Sequence, residues 1–348
     1  MLTPKERALR ALALKQPDRV PVGVFLGGSW PVTHSGLTLE GLIGDPATTA
    51  RVFYEVNKDL DADIIMVGAG ATALMIRALG GDVRFTAKGA PAIITGPVAT
   101  EADLGRMTVT AAGTDPAVNW LFETAAGLSR LAADERLVLA SGRAPFTLAA
   151  QLAGMDQFLK ALHKNKSFAH KLLRFTAELS AWYFTTMLDR GLVHGSFIAD
   201  PTASGDVISK QHFQEFAFPY LQQVVSRINA AAAGKPVMLH ICGNIRDRLD
   251  SIAATGINCL SVESKVSIRE AQRLIGSRVC IAGNVDPVDV LEFGNQADIR
   301  QAVNRCLAEG TGGSGFILLP GCDLGDGVPA ENIRLFVDCA HNWVYQHQ

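Results

Sequence analysis

Short apolar runs recur along the chain, and most are followed by a stretch with helical spacing. The runs are nearly continuous in Val, Ile, Leu and Ala, whereas a strand with one face in water alternates apolar and polar residues. Continuous runs are typical of strands buried on both faces of a parallel sheet. Eight stretches fit this description: 19–25, 62–68, 136–142, 195–201, 236–242, 257–263, 278–284 and 315–321.

Stretches with helical spacing lie between these runs. Residues 209–228 place six apolar side chains on one side of a helix, and Pro219 within this stretch predicts a kink. A second helix is predicted over 297–310, where Gly310 occupies the position of a C-terminal cap. Residues 3–6 contain a cap residue, a proline in the first turn and a Glu three residues after the cap, which predicts an N-terminal helix.

Eight strand candidates separated by helices predict a (β/α)8 barrel of the TIM type. The competing architecture is a doubly wound open sheet, but no glycine-rich dinucleotide fingerprint follows the first strand candidate. The long interval 69–135 predicts helices and an inserted β-hairpin over 80–97. Because no Pro/Ser-rich linker and no internal repeat interrupts the pattern, we expect one domain over residues 1–348.

Composition narrows the class of protein. Hydrophobic residues make up 48% of the 348 residues and charged residues 19%, so the chain can bury a large core. The net charge of −2 provides no basic surface for a nucleic acid partner. The longest uncharged run, 64–76, is too short to span a bilayer, and the first residues lack a signal-peptide pattern. We therefore expect no membrane partner and a cytoplasmic location.

Side chains that can bind metals or protons collect where four successive strand candidates end. His240 and Cys242 end the first of these strands and Glu263 the second; Asn284 ends the third and Cys322 follows the fourth. In a barrel, the C-terminal ends of the strands meet at one mouth. Alternate residues of a strand point to the same side, so His240 and Cys242 can share one target.

One imidazole, two thiolates and a carboxylate form a donor set that favours Zn²⁺ over Mg²⁺ or Ca²⁺. Position and spacing alone leave two interpretations open for His240, Cys242 and Cys322, namely metal ligands or packed core side chains. Disulfides are not expected in a long chain without a secretion signal. The remaining cysteines fall inside strand or helix patterns and are interpreted as core or helix residues: Cys259, Cys280, Cys306 and Cys339.

Several motifs resemble one known family. They are "LHICGN" (239–244), "LSVES" (260–264), "AGNVDP" (282–287), and "LLPGCDL" (318–324) with the "VPAENI" that follows it. Together they resemble the zinc-dependent methylcobalamin:coenzyme M methyltransferases, within the uroporphyrinogen decarboxylase superfamily. Residues 198–221 and the start of the chain resemble the same family, so the likeness covers nearly the whole chain.

The resemblance implies a (β/α)8 barrel with zinc at its mouth. The family's zinc ligands fall on His240, Cys242 and Cys322. Glu263 matches a carboxylate that can complete the coordination when no substrate is bound, and we expect it to act in catalysis as well. In this reading the two cysteines are ligands and not nucleophiles.

Three further residues are candidates for contact with substrate or cofactor. Asp200 is expected either to support the zinc ligands or to bind substrate in catalysis; the alternative is a helix cap or a loop contact. Asn284 is expected to contact cofactor or orient His240, although turn chemistry explains it equally well. Gln151 is a second candidate for cofactor or substrate binding, with a structural role as the alternative.

The decarboxylase branch of the superfamily fits the sequence less well. Its members carry arginines just after the first strand that hold substrate carboxylates, but residues 23–36 contain none. An Asp at the end of their second strand corresponds to Gly68, and a pocket Tyr corresponds to Gln151. An anionic porphyrinogen would therefore lose its charge-assisted hydrogen bonds.

The expected function is that of a zinc-dependent methyltransferase, of EC 2.1.1 type. It would move a methyl group between a corrinoid, either methylcobalamin or a corrinoid protein, and a thiol or a methoxylated or methylated small molecule. The direction of transfer stays open. A corrinoid protein is expected to dock on the C-terminal face of the barrel, and a homodimer is considered as well. The alternatives are a decarboxylase of this superfamily, and a non-catalytic barrel with structural zinc that binds a corrinoid or tetrapyrrole.

Overall fold

Seven parallel strands form a curled sheet in the order β1-β4-β5-β6-β7-β8-β9 in this computed structural model, which describes residues 1–313 and 315–345. A separate antiparallel pair, β2-β3, forms the inserted hairpin predicted over 80–97. The strands are β1 (Ile64–Val67), β2 (Asp82–Arg84), β3 (Ala92–Thr95), β4 (Leu137–Arg143), β5 (Gly195–Ala199), β6 (Val237–Ile241), β7 (Cys259–Val262), β8 (Cys280–Val285) and β9 (Phe316–Pro320).

Helices surround this sheet, and they follow the predicted alternation. They are α1 (Pro4–Leu12), α2 (Trp30–His34), α3 (Leu39–Leu42), α4 (Pro46–Asp59), α5 (Ala71–Ala78), α6 (Glu101–Gly105), α7 (Val109–Thr114), α8 (Pro116–Ala132), α9 (Pro145–Ala153), α10 (Met155–Lys164), α11 (Lys166–Asp189), α12 (Lys210–His212), α13 (Phe218–Ala231), α14 (Leu249–Ala253), α15 (Ile268–Ile275), α16 (Gln296–Gly310) and α17 (Ala330–His341). The described residues contain no helix with an apolar stretch that could span a bilayer.

The barrel closes through the first strand candidate, which pairs less than predicted. Within residues 19–25, only two isolated bridges form, from Val22 to Leu318 of β9 and from Gly23 to Ile64 of β1. This segment therefore takes the eighth position of the barrel between β9 and β1. The (β/α)8 prediction is confirmed in its TIM-barrel-like architecture, while its first strand is reduced to these contacts.

A buried carboxylate accounts for the short pairing of this segment. Pro21 has no N–H to donate, and the N–H of Val22 donates to the Asp63 carboxylate at 2.8 Å instead of to a neighbouring strand. Asp63 is fully buried and also bonds the guanidinium of Arg7, from α1, at 2.5 Å. Burial raises the pKa of Asp63, and the charge of Arg7 opposes that rise.

Two predicted helices show the local chemistry expected of them. At α1, the N–H of Glu6 donates to Thr3 Oγ1 at 3.1 Å, and the Glu6 carboxylate accepts from the Thr3 N–H at 2.8 Å, which completes a capping box. The helix predicted over 209–228 divides into α12, a π-helical turn at Phe213–Ala217, and α13. The π-helical turn precedes Pro219, which cannot donate a helical hydrogen bond.

The barrel interior is filled by apolar side chains towards its N-terminal end. Met66, Leu139, Met238 and Ile317 belong to this inner cluster, and α1 packs against it. Cys259 and Cys280 lie in the same inner cluster, and Cys306 lies in the outer layer between sheet and helices, as predicted for core cysteines. Because apolar packing occupies the N-terminal end, space for a ligand remains at the C-terminal ends of the strands. The assignment of one domain to residues 1–348 stays a prediction.

Candidate metal centre

The structure brings three of the predicted ligands together at the C-terminal end of the barrel. His240 is the fourth residue of β6, and its Nε2 lies 3.1 Å from the Sγ of Cys242. Cys322 follows β9, and its Sγ lies 3.7 Å from that of Cys242. The three donor atoms all lie within 4.8 Å of one another. His240 and Cys242 converge as expected from strand alternation, because Cys242 lies two residues after His240, directly past the end of β6.

A hydrogen bond to the neighbouring strand orients the imidazole ring. In the register of β6 and β7, His240 pairs with Ser261, whose Oγ lies 3.1 Å from Nδ1. A neutral ring with its proton on Nδ1 donates to this hydroxyl and directs the lone pair of Nε2 at the thiols. The ring of Phe197 stacks beside it, with centroids 6.2 Å apart. His240 is therefore held in the orientation that a metal ligand needs.

The two sulfur atoms lie within hydrogen-bonding distance of each other, 3.7 Å apart. The hydrogen bond from Cys242 lowers the pKa of Cys322, and the hydrogen bond with His240 lowers it further, against the effect of burial. The same contact with Cys322, followed by burial, raises the pKa of Cys242. A lowered pKa makes Cys322 more readily a thiolate, which is the form of cysteine that binds a metal.

This donor set fits a zinc ion. Two sulfur atoms and one imidazole nitrogen are the soft and borderline ligands that zinc takes, while magnesium and calcium take oxygen. Three protein ligands beside a cavity are typical of a catalytic zinc site, since a structural site uses four.

Glu263 lies beyond the end of β7 and outside the group of three converging donor atoms. Its carboxylate accepts a hydrogen bond from the N–H of Gly243, the residue after Cys242. This hydrogen bond engages one of the two carboxylate oxygens. The expectation that Glu263 is a fourth ligand and a catalytic residue stays a prediction.

A cavity of about 330 Å³ lies beside the three donor atoms and includes all three residues in its wall. Its other walls come from the end of β4, the first turn of α5 and the tip of the hairpin, where Ala90, Pro91 and Ile93 line it. The size lies at the lower end of the range usual for small-molecule sites. The inserted hairpin therefore forms one side of the cavity.

Arg143 is a cavity residue that the sequence reasoning missed. It is the last residue of β4 and lines the cavity as its one arginine. The apolar run that predicted this strand ends at Gly142, one residue earlier. A charge directly after a buried run, at the C-terminal end of a barrel strand, was the signal that could have found it.

Asp200 follows β5 and is fully buried. Its Oδ1 accepts hydrogen bonds from the N–H and the hydroxyl of Thr147, in the first turn of α9, at 2.8 and 2.7 Å. Oδ1 therefore supports the first turn of α9, whereas Oδ2 has no hydrogen-bond partner among the described residues. Burial raises the pKa of Asp200 to about 6. Its catalytic role stays a prediction.

The two residues predicted to bind cofactor differ in their surroundings. Gln151 lines the cavity, and its buried Oε1 has no hydrogen-bond partner within the described part of the chain. Asn284 donates instead to the backbone carbonyls of Glu263 and Val266, at 2.9 and 2.6 Å. Its amide therefore holds the chain around Glu263 and lies outside the cavity wall. Cofactor binding by either residue stays a prediction.

The fold and the site together define a class, that of parallel β/α barrels with a His-Cys-Cys donor set at the strands' C-terminal ends. A family model described as "Uroporphyrinogen decarboxylase (URO-D)" matches residues 3–343. The chain belongs to the uroporphyrinogen decarboxylase family, as its motifs predicted.

Relatives come from two branches of this family. Methylcobamide:CoM methyltransferase MtbA from Methanosarcina acetivorans is 28% identical over 356 residues, with 99% of each chain covered. A uroporphyrinogen decarboxylase from Microcystis aeruginosa is 26% identical over 260 residues, with 73% of this chain and 72% of the relative covered. The predicted likeness to methyltransferases of this family is confirmed.

A solved structure supports the fold. A methyltransferase from Methanosarcina mazei superimposes with a TM-score of 0.86 at 24% sequence identity, over 98% of this chain and 99% of the other. At 24% sequence identity, this superposition supports the fold of the chain and not its chemical activity.

Proposed function

We propose that this protein is a zinc-dependent methyltransferase that moves a methyl group between a corrinoid and a small-molecule thiol. The observation that carries the proposal is the convergence of His240, Cys242 and Cys322 on one point in the cavity wall. The relative from Methanosarcina acetivorans, a methylcobamide:CoM methyltransferase, supports the same chemistry.

Zinc at this site would lower the pKa of a substrate thiol, so that the thiol reacts as a thiolate at neutral pH. In the direction of thioether formation, a lone pair on the thiolate sulfur forms the new S–C bond. The electrons of the broken C–Co bond stay on cobalt, which passes from Co(III) to Co(I), and the thiol proton goes to solvent. The reverse transfer, from a methylated or methoxylated small molecule to Co(I), uses the same site and remains the alternative direction.

The chain's own residues supply position and exclusion of water. Ser261 fixes the imidazole of His240, and Gly243 holds the Glu263 carboxylate beside the donor atoms. Ile93 and the neighbouring hairpin residues cover one side of the cavity, which limits access of water to the thiol. These contacts leave one side of the donor set for substrate.

The corrinoid has to reach the same point, and the site lies at the C-terminal ends of the strands. A corrinoid protein would therefore dock on this face.

The site favours methyl transfer over decarboxylation of a porphyrinogen. A Cβ added at Gly68, where decarboxylases carry an Asp, would lie 2.1 Å from the carbonyl oxygen of Ser141. An aspartate therefore cannot occupy this position unless the backbone moves. A decarboxylase of a smaller carboxylated substrate remains the second candidate, because Arg143 offers one cation in the cavity.

The experiment is metal analysis combined with a methylcobalamin demethylation assay against a panel of thiols. We expect about one zinc ion per chain in the wild type, and a large loss of both zinc and activity in Cys322→Ser. The matched control is Cys339→Ser, since Cys339 is a half-buried thiol on α17. Full zinc content in a variant lacking both His240 and Cys242 would contradict the site.

Bound zinc without methyl transfer to any thiol, combined with methyl transfer from methoxylated aromatics to Co(I), would show that the protein works in the reverse direction. Zinc without either transfer, combined with release of CO₂ from a carboxylated substrate, would replace it with the decarboxylase.

A further inference from the structure

The guanidinium of Arg143 is an uncommitted cation in the cavity wall. Among residues 1–313 and 315–345 it has no hydrogen-bond partner and no ion pair; the hydrogen bond with Ser180 Oγ, at 2.9 Å, goes to the backbone carbonyl of Arg143 and not to its side chain. The side chain is half-buried. The guanidinium lines the cavity, so its five N–H donors are available to a ligand that enters this space.

The acidic groups around the cavity do not supply that partner. Asp200 uses Oδ1 for Thr147, and Asp323 uses Oδ1 for the N–H groups of Leu26 and Leu324, each at 3.1 Å. The positive charge of Arg143 acts on both carboxyls only through space and lowers their pKa values, against the larger effect of burial. Arg143 is therefore close to these acids without being bound by them.

The backbone of the first turn of α5 adds further hydrogen-bond donors to the cavity wall. The first turn of α5 lines the same cavity and carries no side-chain cap at Gly70. The N–H groups of Thr72 and Ala73 have no acceptor among the described residues, whereas those of Ala71 and Leu74 are used within the turn. Free N–H groups and the helix dipole favour negative charge at this point. These N–H groups add to the attraction for an anion, but the site itself depends on Arg143.

The cavity limits the size of the ligand. At roughly 30 Å³ for each water in the liquid, its volume of about 330 Å³ corresponds to about ten waters. The three donor residues and Arg143 line the same cavity, so a small molecule bound there can contact both.

We propose that Arg143 binds an anionic group, a carboxylate, sulfonate or phosphonate, on the small molecule that exchanges its methyl group in this cavity. The proposal rests on the proposed function for the sulfur end of that molecule and adds the charge of its other end. The planar guanidinium can accept two oxygen atoms of such a group side by side, which fixes the direction of the substrate as well as its charge. Arg143 is thus a specificity-determining residue.

The test compares two thiols of equal length, 3-mercaptopropionate and the neutral 3-mercapto-1-propanol, as methyl acceptors from methylcobalamin. The readout is the ratio of their kcat/KM values. Loss of a charge-assisted hydrogen bond corresponds to a factor of about 10 to 100. We expect this preference for the acid in the wild type, a ratio near one in Arg143→Met, and an intermediate ratio in Arg143→Lys. The control, Arg227→Met, removes an exposed arginine of α13 and should keep the wild-type ratio.

A binding measurement separates failure of this inference from failure of the proposed function. Titration calorimetry with 3-(methylthio)propionate on the zinc-loaded protein requires no methyl transfer, and we expect binding that Arg143→Met weakens at least tenfold. Binding that Arg143→Met weakens, without methyl transfer to any thiol, would support the anion site and contradict the proposed methyltransferase function. Equal kcat/KM values for the two thiols in the wild type would overturn the anion site. A loss of zinc in Arg143→Met, with both thiols affected equally, would overturn it too, because the arginine would then only balance the charge of the metal centre.

Discussion

Ser261 Oγ lies 3.1 Å from Nδ1 of His240, on the opposite ring nitrogen from the one that faces the thiols. When Nδ1 donates its proton to this hydroxyl, the lone pair of Nε2 is free to bind a metal. We predict that Ser261→Ala lowers zinc affinity by about 10- to 100-fold, the usual effect of losing such a supporting hydrogen bond. Competition with a chelator of known affinity measures it.

The control for this prediction is Ser196→Ala. Ser196, on β5, is equally buried, but its hydroxyl has no partner among the described residues. An unchanged zinc affinity is expected for this variant. The same loss in both variants would show that the effect comes from packing and not from the orientation of His240.

Gly68 allows the closest backbone approach at the cavity wall. An added Cβ would meet the Ser141 carbonyl oxygen at 2.1 Å, which is backbone and cannot rotate away. We predict that Gly68→Ala lowers the free energy of unfolding by about 1–3 kcal/mol, the usual cost of overpacking. Gly105→Ala is the control, because nothing lies within 4 Å of a Cβ there. Urea unfolding measures both, and equal stability of the two variants would contradict this account of Gly68.

His194 makes stability depend on pH. Its Nδ1 accepts the N–H of Val138 at 3.0 Å, and burial lowers the pKa of His194 from 6.5 to about 4. The unfolded chain then binds a proton that the folded chain does not between about pH 6.5 and 4, so this contribution to stability is lost as pH falls through that window. We predict a smaller fall in the urea midpoint from pH 7.5 to 5 for His194→Gln than for the wild type.

The quantity to measure for His194 is the difference between the wild type and His194→Gln in the pH dependence of the urea midpoint. Burial raises the pKa values of Asp200 and Asp323 to about 6. Their contribution to stability has the opposite pH dependence, because it falls as pH rises from 3.8 to 6. The carboxyl contributions are common to both proteins and cancel in the comparison. An identical pH dependence in the two proteins would contradict the role given to His194.

Asp200 serves the packing of α9 through one oxygen and leaves the other free. We predict that Asp200→Ala lowers the free energy of unfolding by about 1–3 kcal/mol, because the N–H and hydroxyl of Thr147 lose their buried acceptor. Asp200→Asn keeps an acceptor oxygen and should retain most of the stability. If Asp200 is catalytic as well, Asp200→Asn also lowers kcat/KM. A stable Asp200→Asn variant with wild-type activity would show that Asp200 only supports the first turn of α9.

Much of the fold could be predicted from the sequence because buried parallel strands are continuous apolar runs. Seven of the eight runs form strands of the sheet. The run at 19–25 forms only two bridges, since the Val22 N–H is taken by Asp63, and a side-chain contact across 41 positions leaves no local pattern. The hairpin could be predicted from its glycines and its alternation.

The metal ligands could be predicted because strand alternation and barrel topology act over known spacings. His240 and Cys242 share a strand face, and Cys322 ends another strand at the same mouth. Arg143 was missed because the run before it ends one residue earlier. The contact of Ser261 with His240 depends on the register between two strands, which hydrophobic patterns do not specify to one residue.

X-ray absorption at the zinc edge of the purified, zinc-loaded protein, recorded with and without a thiol substrate, tests the metal centre itself. We expect two sulfur ligands from Cys242 and Cys322 and a histidine nitrogen from His240, with a third sulfur when the thiol is added. Zinc that does not bind at one ion per chain, or a spectrum without sulfur ligands, would contradict this expectation.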